Sequence, residues 1–310
     1  MCVVVALGGN ALLRRGQAMT EANQRANARV AAESLAALAQ DHQIVVTHGN
    51  GPQIGLLALQ GAAYNPDEVY SLDVLGAESE GMVGYLIEQE MRARLGSDRS
   101  ICTLLTMVEI DPNDSAFDRP TKPIGPVYKR AEAERLAASR GWSIARDGTG
   151  YRRVVASPVP LRIVEIEPIR HLVDHDVIVL CAGGGGIPTA SNGMGRLEGV
   201  EAVVDKDRAG ALLATELKAD AYLMLTDVDA VVDGWGSPHT RRIARGHPTA
   251  LSAMGFAAGS MGPKVQAACS FAGTTGRIAG IGAMADAAAI LGGTAGTTVS
   301  TAIGGVEWWP

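Results

Sequence analysis

The chain has 310 residues, with 38 glycines, 4% aromatics and 47% apolar residues, enough for one large domain or two joined lobes with a substantial core. Its net charge is −6 and it carries no long run of Lys or Arg, which argues against a nucleic-acid surface. An anionic ligand must therefore be held by locally placed lysines or backbone amides.

Four cysteines, Cys2, Cys102, Cys181 and Cys269, form no CxxC pair, as expected of free thiols in a reducing cytoplasm. The N-terminus lacks a basic stretch before its apolar run, so that run reads as a first strand and not as a signal peptide. The late apolar stretch 278–291 contains Asp286 and several glycines, too short and too polar for a membrane span.

Taken in order, Val3–Leu7 is a buried-strand run that ends at Gly8-Gly9-Asn10. Glu21–Ala39 has helical apolar spacing. Ile44–Val46 is a strand ending in Thr47-His48-Gly49-Asn50-Gly51-Pro52, and Gln53–Gln60 opens a helix behind it. Ala77–Arg94 is a long helix and Ile101–Val108 a strand. From 111 to 160 prolines and charges cluster, which marks an inserted small subdomain with proline-bounded joins. Lys129–Ala138 is a helix in it, and Arg152–Ala156 part of a hairpin.

Val177–Leu180 is a β-branched run that breaks into Gly183-Gly184-Gly185-Gly186. Such a loop at the carboxyl end of a buried strand suits backbone approach to an anion. Arg208–Leu217 is a helix, and Ala221–Leu225 a strand that ends in Thr226-Asp227-Val228-Asp229. A helix starts at Ser260-Met261-Gly262-Pro263-Lys264, and Arg277–Ile281 and Thr297–Ser300 are late strands around the helix Ala285–Leu291. The recurring strand, glycine loop and helix predict an α/β fold: an αβα sandwich around a mainly parallel sheet. The expected division is an N-terminal lobe, 1–199, carrying the insert 111–160, and a C-terminal lobe, 200–310, with the glycine loop at their junction.

Several familiar sites are excluded by spacing. The stretch from Gly49 to Gly55 places Ile54 where a dinucleotide fingerprint needs glycine, and no GxxxxGK[ST] occurs. The HRD and DFG elements of protein kinases and the GxSxG of hydrolases are missing. His48, a lone histidine, reads as structural. The lysines carry more. Lys264 stands at a helix start, where a bound anion would bring it together with the amides of that end. Lys206 lies between Asp205 and Asp207, and Lys122 is stiffened by Pro120 and Pro123.

Together these segments resemble the carbamate kinases of the amino acid kinase family. The shared motifs are Val5-Ala6-Leu7-Gly8-Gly9-Asn10-Ala11, His48-Gly49-Asn50-Gly51-Pro52-Gln53, Thr121-Lys122-Pro123-Ile124-Gly125-Pro126, the loop Gly183–Pro188, Glu201–Asp207, and Gly259-Ser260-Met261-Gly262-Pro263-Lys264. They stand in the family's order and span nearly the whole chain. The resemblance implies the reaction ATP plus carbamate to ADP plus carbamoyl phosphate, run toward ATP in arginine or related nitrogen catabolism. It implies catalytic Lys122, Lys206, Lys264 and Asp207, with Asp207 orienting the lysines. Substrate would sit among Gly8, Gly9, Asn10, Gly49, Asn50, Gly51, Gly184 and Gly185. Nucleotide would lie by Asp227, Val228, Asp229, Lys206, Met261 and Lys264, with Mg2+ carried on its phosphates. A cytoplasmic homodimer acting on small molecules, without membrane or nucleic acid, is expected.

Two departures stand out. The wider family often has a lysine in the first strand where this chain has Ala6, a role that Lys122 would take over. Glu78 and Glu80 bring unexpected acid to the second long helix, where they either face solvent or face the pocket, and the pocket would count against this substrate. The competing readings are a kinase of the same fold for another small acid, and a non-catalytic nucleotide sensor. TKPIGP argues against the first and the full set of lysines against the second.

Overall fold

The structure, a computed structural model, describes residues 1–9, 12–14, 16–65, 68–237, 239–257 and 261–310. In its first part β1 (Cys2–Leu7), α1 (Glu21–Ala39), β2 (Gln43–His48), α2 (Gly51–Tyr64), α3 (Leu72–Leu95), β3 (Ile101–Thr103) and β4 (Met107–Ile110) follow one another. Next come β5 (Lys122–Tyr128), α4 (Arg130–Arg140), β6 (Ser143–Asp147), β7 (Gly150–Val155), β8 (Pro160–Ile163), α5 (Ile166–Asp174), β9 (Ile178–Leu180), β10 (Ile187–Ser191) and β11 (Leu197–Gly199). The remainder is α6 (Lys206–Glu216), β12 (Ala221–Thr226), β13 (Val232–Asp233), β14 (Arg241–Gly246), α7 (Pro248–Ser252), α8 (Met261–Thr275), β15 (Ile278–Ala283), α9 (Ala287–Leu291), β16 (Thr297–Val299) and β17 (Val306–Trp308).

The main sheet has the order β13-β14-β16-β15-β12-β1-β2-β9-β3, with β17 added on β14. The run from β15 to β3 is parallel throughout. Antiparallel pairs occur only toward the β14 end among the described residues. Strand β1 is central because it is apolar on both faces. Its Val3, Val5 and Leu7 pack with Leu35 of α1 and Ile87 of α3, while Val4 and Ala6 pack with Leu213 of α6 and Phe271 of α8. The expected three-layer sandwich is therefore present, and its sheet runs unbroken from early to late segments of the chain.

Helix ends follow local chemistry. Thr20 caps α1 by accepting from the Asn23 N–H at 3.3 Å, and Gly96 closes α3 with φ +66°. The apolar run 101–108, expected as one strand, is two. After β3 the chain leaves the main sheet at residues 104–106, and β4 joins a second sheet, β11-β10-β4-β8. The break is held from outside: Thr106 N–H donates to Glu80 Oε2 at 3.4 Å, and Ala182 N–H donates to Thr106 Oγ1 at 3.0 Å. A third, antiparallel sheet, β5-β7-β6, lies with α4 within the stretch expected as an insert. It rests on α2, where the Gly55 and Gly125 backbones approach so closely that a Cβ on Gly55 would lie 1.9 Å from Gly125 Cα. Only glycine fits that crossing.

Candidate active site

The parallel register brings several glycine loops to one edge of the sheet. Leu7 stands opposite His48 and Leu225, and Val46 opposite Leu180, so β1, β2, β9 and β12 discharge their loops side by side. Gly8 N–H donates to Leu225 O at 2.8 Å and Gly49 N–H to Leu7 O at 3.1 Å. A Cβ on Gly49 would sit 3.2 Å from Gly9 Cα and 3.4 Å from Lys206 Cδ. Gly9, Gly49 and Lys206 are thus neighbours. Asn10, Gly259 and Ser260 lie outside the described residues.

The three lysines converge on one cluster through two aspartates. Asp205 caps α6, its Oδ1 accepting from the N–H groups of Asp207 at 3.0 Å and Arg208 at 3.3 Å. Lys206 Nζ lies 2.5 Å from Asp207 Oδ1 and Lys264 Nζ 2.9 Å from Asp207 Oδ2. Lys122, reaching in from β5, is 2.5 Å from Asp205 Oδ2. Asp207 therefore orients two of the lysines, not all three, and Asp205 takes the third. Beneath them the fully buried Tyr222 donates its hydroxyl to Asp207 O at 2.9 Å.

The cluster is nearly dry, and its charges are set by one another. Burial works against the Asp207 carboxylate, yet Lys206 and Lys264 outweigh it and hold its pKa well below the usual range. Burial also opposes the charge of Lys264, but Asp207 prevails and raises its pKa. Lys206 is the exception: burial, with Lys264 alongside, brings it down to about 8 despite Asp207. Three ammonium groups facing two carboxylates leave a net positive edge, suited to an anion.

The glycine loop is braced from several sides. Gly184, Gly185 and Gly186 take φ of +71°, +103° and +81°. A Cβ on Gly184 would strike the Asn50 amide at 2.0 Å, and one on Gly185 the Val204 carbonyl at 2.3 Å. These glycines thus serve close packing of the loop against Asn50 and the segment entering α6. Asn50 Nδ2 in turn donates to Ser79 Oγ at 2.8 Å. Gly183 N–H donates to Glu80 Oε1 at 2.8 Å. Glu78 is exposed as expected, whereas Glu80 is 1% exposed and burial pushes its pKa up to about 8. It faces the underside of the loop, not solvent. His48 is also buried, with Nδ1 3.3 Å from Gly49 O. Burial lowers its pKa to about 4, which keeps it neutral.

Asp227, Val228 and Asp229 follow β12, beside β1 on the same edge. Asp229 lines a cavity of about 340 Å³ with Ala230, Arg242, Asp286, Thr294 and Trp309. Met261 opens α8, and Lys264 stands in its first turn. Sequence reasoning missed Asp205 as the partner of Lys122. Its position before an Ala/Leu helix is a cap signal, but nothing in the sequence joins it to a residue 83 positions away.

A parallel sandwich that gathers glycine loops and a lysine–aspartate clamp at one edge is built for phosphoryl transfer, and the chain belongs to the amino acid kinase family, whose sequence model matches residues 1–279. Within that family it groups with the carbamate kinases. That of Rhizobium meliloti (strain 1021) is 54% identical over 310 residues, covering 99% of this chain and 96% of its relative. Carbamate kinase from Giardia lamblia bound to citric acid superposes with a TM-score of 0.90 at 37% identity, over 96% of this chain and 98% of that one. The same Giardia enzyme bound to AMP-PNP gives 0.88 at 38%, again over 96% and 98%. No helix among the described residues is long and apolar enough to cross a membrane.

Proposed function

We propose that the protein is a carbamate kinase, transferring a phosphoryl group reversibly between ATP and carbamate. The observation that carries this reading is the convergence of Lys122, Lys206 and Lys264 on Asp205 and Asp207 at the glycine-lined sheet edge. A carbamate oxygen attacks the γ-phosphorus, the bond from phosphorus to the β-phosphate oxygen breaks, and ADP leaves with that electron pair. Such a transfer needs alignment and positive charge more than a base. Carbamate is already an anion, and a neutral, buried His48 fits a reaction that takes no proton from it.

Each group has a distinct task in this reading. Gly8, Gly9, Asn10, Gly49, Asn50 and Gly51 surround the acceptor, with Gly184 and Gly185 fixing the loop behind it. The lysines neutralise the transferred group, and Asp207 orients Lys206 and Lys264. The cavity beside Asp229 takes part of the nucleotide, so that residues 1–199 serve the acceptor and 200–310 the nucleotide. Among the described residues no three His, Cys, Asp or Glu side chains converge as a metal site. A magnesium ion would arrive on the nucleotide phosphates and neutralise part of their charge.

The four free cysteines accord with a cytoplasmic protein. Leu59, Tyr64, Val69, Tyr70, Val74 and Tyr85, exposed on and between α2 and α3, offer an apolar face for the expected homodimer. Work toward ATP in arginine or related nitrogen breakdown completes the proposal. Purified protein given ADP, magnesium and carbamoyl phosphate should form ATP. No ATP there, with phosphorylation of another small acid in a panel, would transfer the assignment to a different kinase of this fold. Nucleotide binding without any turnover would make it a sensor.

A further inference from the structure

We propose that Asp205 is a positioning residue for Lys122, docking the insert's lysine beside the Lys206–Asp207–Lys264 clamp. This rests on the phosphoryl-transfer reading above and adds to it the origin of the third lysine's placement. The two oxygens of Asp205 have separate duties. Oδ1 is taken by the two N–H groups at the start of α6, and Oδ2 faces Lys122 Nζ at 2.5 Å. Helix capping fixes the rotamer, so the second oxygen is aimed before Lys122 arrives. The Asp205 side chain is 12% exposed, against 28% for that of Lys122. One partner is thus rigid and the other is delivered by a separate small sheet.

The geometry also fixes where Lys122 waits. Lys122 pairs with Asp205 and not with Asp207, and its side chain is more exposed than those of Lys206 and Lys264, so the docked ammonium stands at the edge of the clamp. Burial opposes the Asp205 charge, but Lys122 overcomes this and lowers its pKa. An incoming phosphoryl anion offers Lys122 a second acceptor at short range. The lysine then needs only a small side-chain shift, because its backbone strand β5 is already seated on α2 at the Gly55–Gly125 crossing.

The test is Asp205→Asn, which keeps an amide oxygen for the cap and removes the charge that holds Lys122. In the ligand-free protein, hydrogen exchange across residues 122–155 should quicken while α6 stays protected. Turnover should fall about tenfold, as expected for a slightly misplaced catalytic group, with the ADP KM within about twofold. In a Lys122→Ala background the same change should add almost nothing to either readout. Asp205→Ser, which also caps, guards against a defect peculiar to Asn and should behave alike. Unchanged exchange and turnover in both variants would overturn the proposal. So would loss of α6 protection with a raised ADP KM, because Asp205 would then be only a cap. If the parent protein makes no ATP at all yet the exchange effect is present and depends on Lys122, the function reading fails while the docking stands.

Discussion

Three lysines of the same type do different work here because their surroundings differ. Lys264, with 13% of its side chain exposed, stands in the first turn of α8 and shares Asp207 with Lys206, so it belongs to the standing clamp. Lys122 enters from the insert and meets a different carboxylate. Lys122→Ala should therefore lower turnover about a hundredfold, the rough 3 kcal/mol of one well-placed electrostatic contact, and leave ATP affinity nearly intact. Lys264→Ala should weaken ATP binding as well as turnover. Steady-state kinetics alongside equilibrium nucleotide binding separates the two cases. Near-normal turnover in Lys122→Ala would strip the TKPIGP segment of its catalytic meaning. The lysines themselves were readable because their flanking prolines and aspartates set them apart. Their distribution over two aspartates was not, since it depends on a contact between β5 and α6.

At the scale of elements, α3 and the glycine loop are joined through Glu80. Its carboxyl holds the N–H groups of Gly183 and Thr106, so one side chain ties the loop, the helix and the break between β3 and β4. Burial raises its pKa from 4.5 to about 8. Between those values the unfolded chain has released a proton that the folded protein still holds, so this contribution to stability declines as pH rises through that window. Glu80→Gln lacks the proton. Urea unfolding at a series of pH values should show the parent losing stability relative to the variant from about pH 4.5 to about pH 8, and a constant difference below. A constant difference throughout would mean that Glu80 titrates alike in both states. The sequence hid this tie: on a helix with weak amphipathicity, Glu78 and Glu80 looked equivalent, and only packing shows that one points inward. The same packing cut the run 101–108 in two, because an unbroken apolar stretch carries no mark of where it changes sheets. By contrast α1 ran from Glu21 to Ala39 as read, since its cap and its period agree.

Across the whole molecule, the insert meets the main body at the Gly55–Gly125 crossing, in the cluster of Ile124 and Val155 with Ile54, Leu72 and Val203, and through the pairs Lys122–Asp205 and Arg153–Glu201. Its proline-bounded joins suit a small body that settles over the acceptor when substrate binds. Hydrogen exchange with ADP and carbamoyl phosphate present should slow across residues 122–155 relative to the ligand-free protein; identical protection in both conditions would rule out closure. The sheet itself was legible because its central strands are apolar on both faces. The second sheet was not, because β10 and β11 are short and lie in glycine-rich sequence. The central place of β1 also has a consequence for how the chain is made. Cys2 N–H bonds to Asp220, 218 residues onward, and β1 finds one of its two neighbours only in β12. During synthesis β1 therefore presents an unpaired apolar edge until β12 has followed, a long window in which a chaperone or an accidental neighbour can claim it.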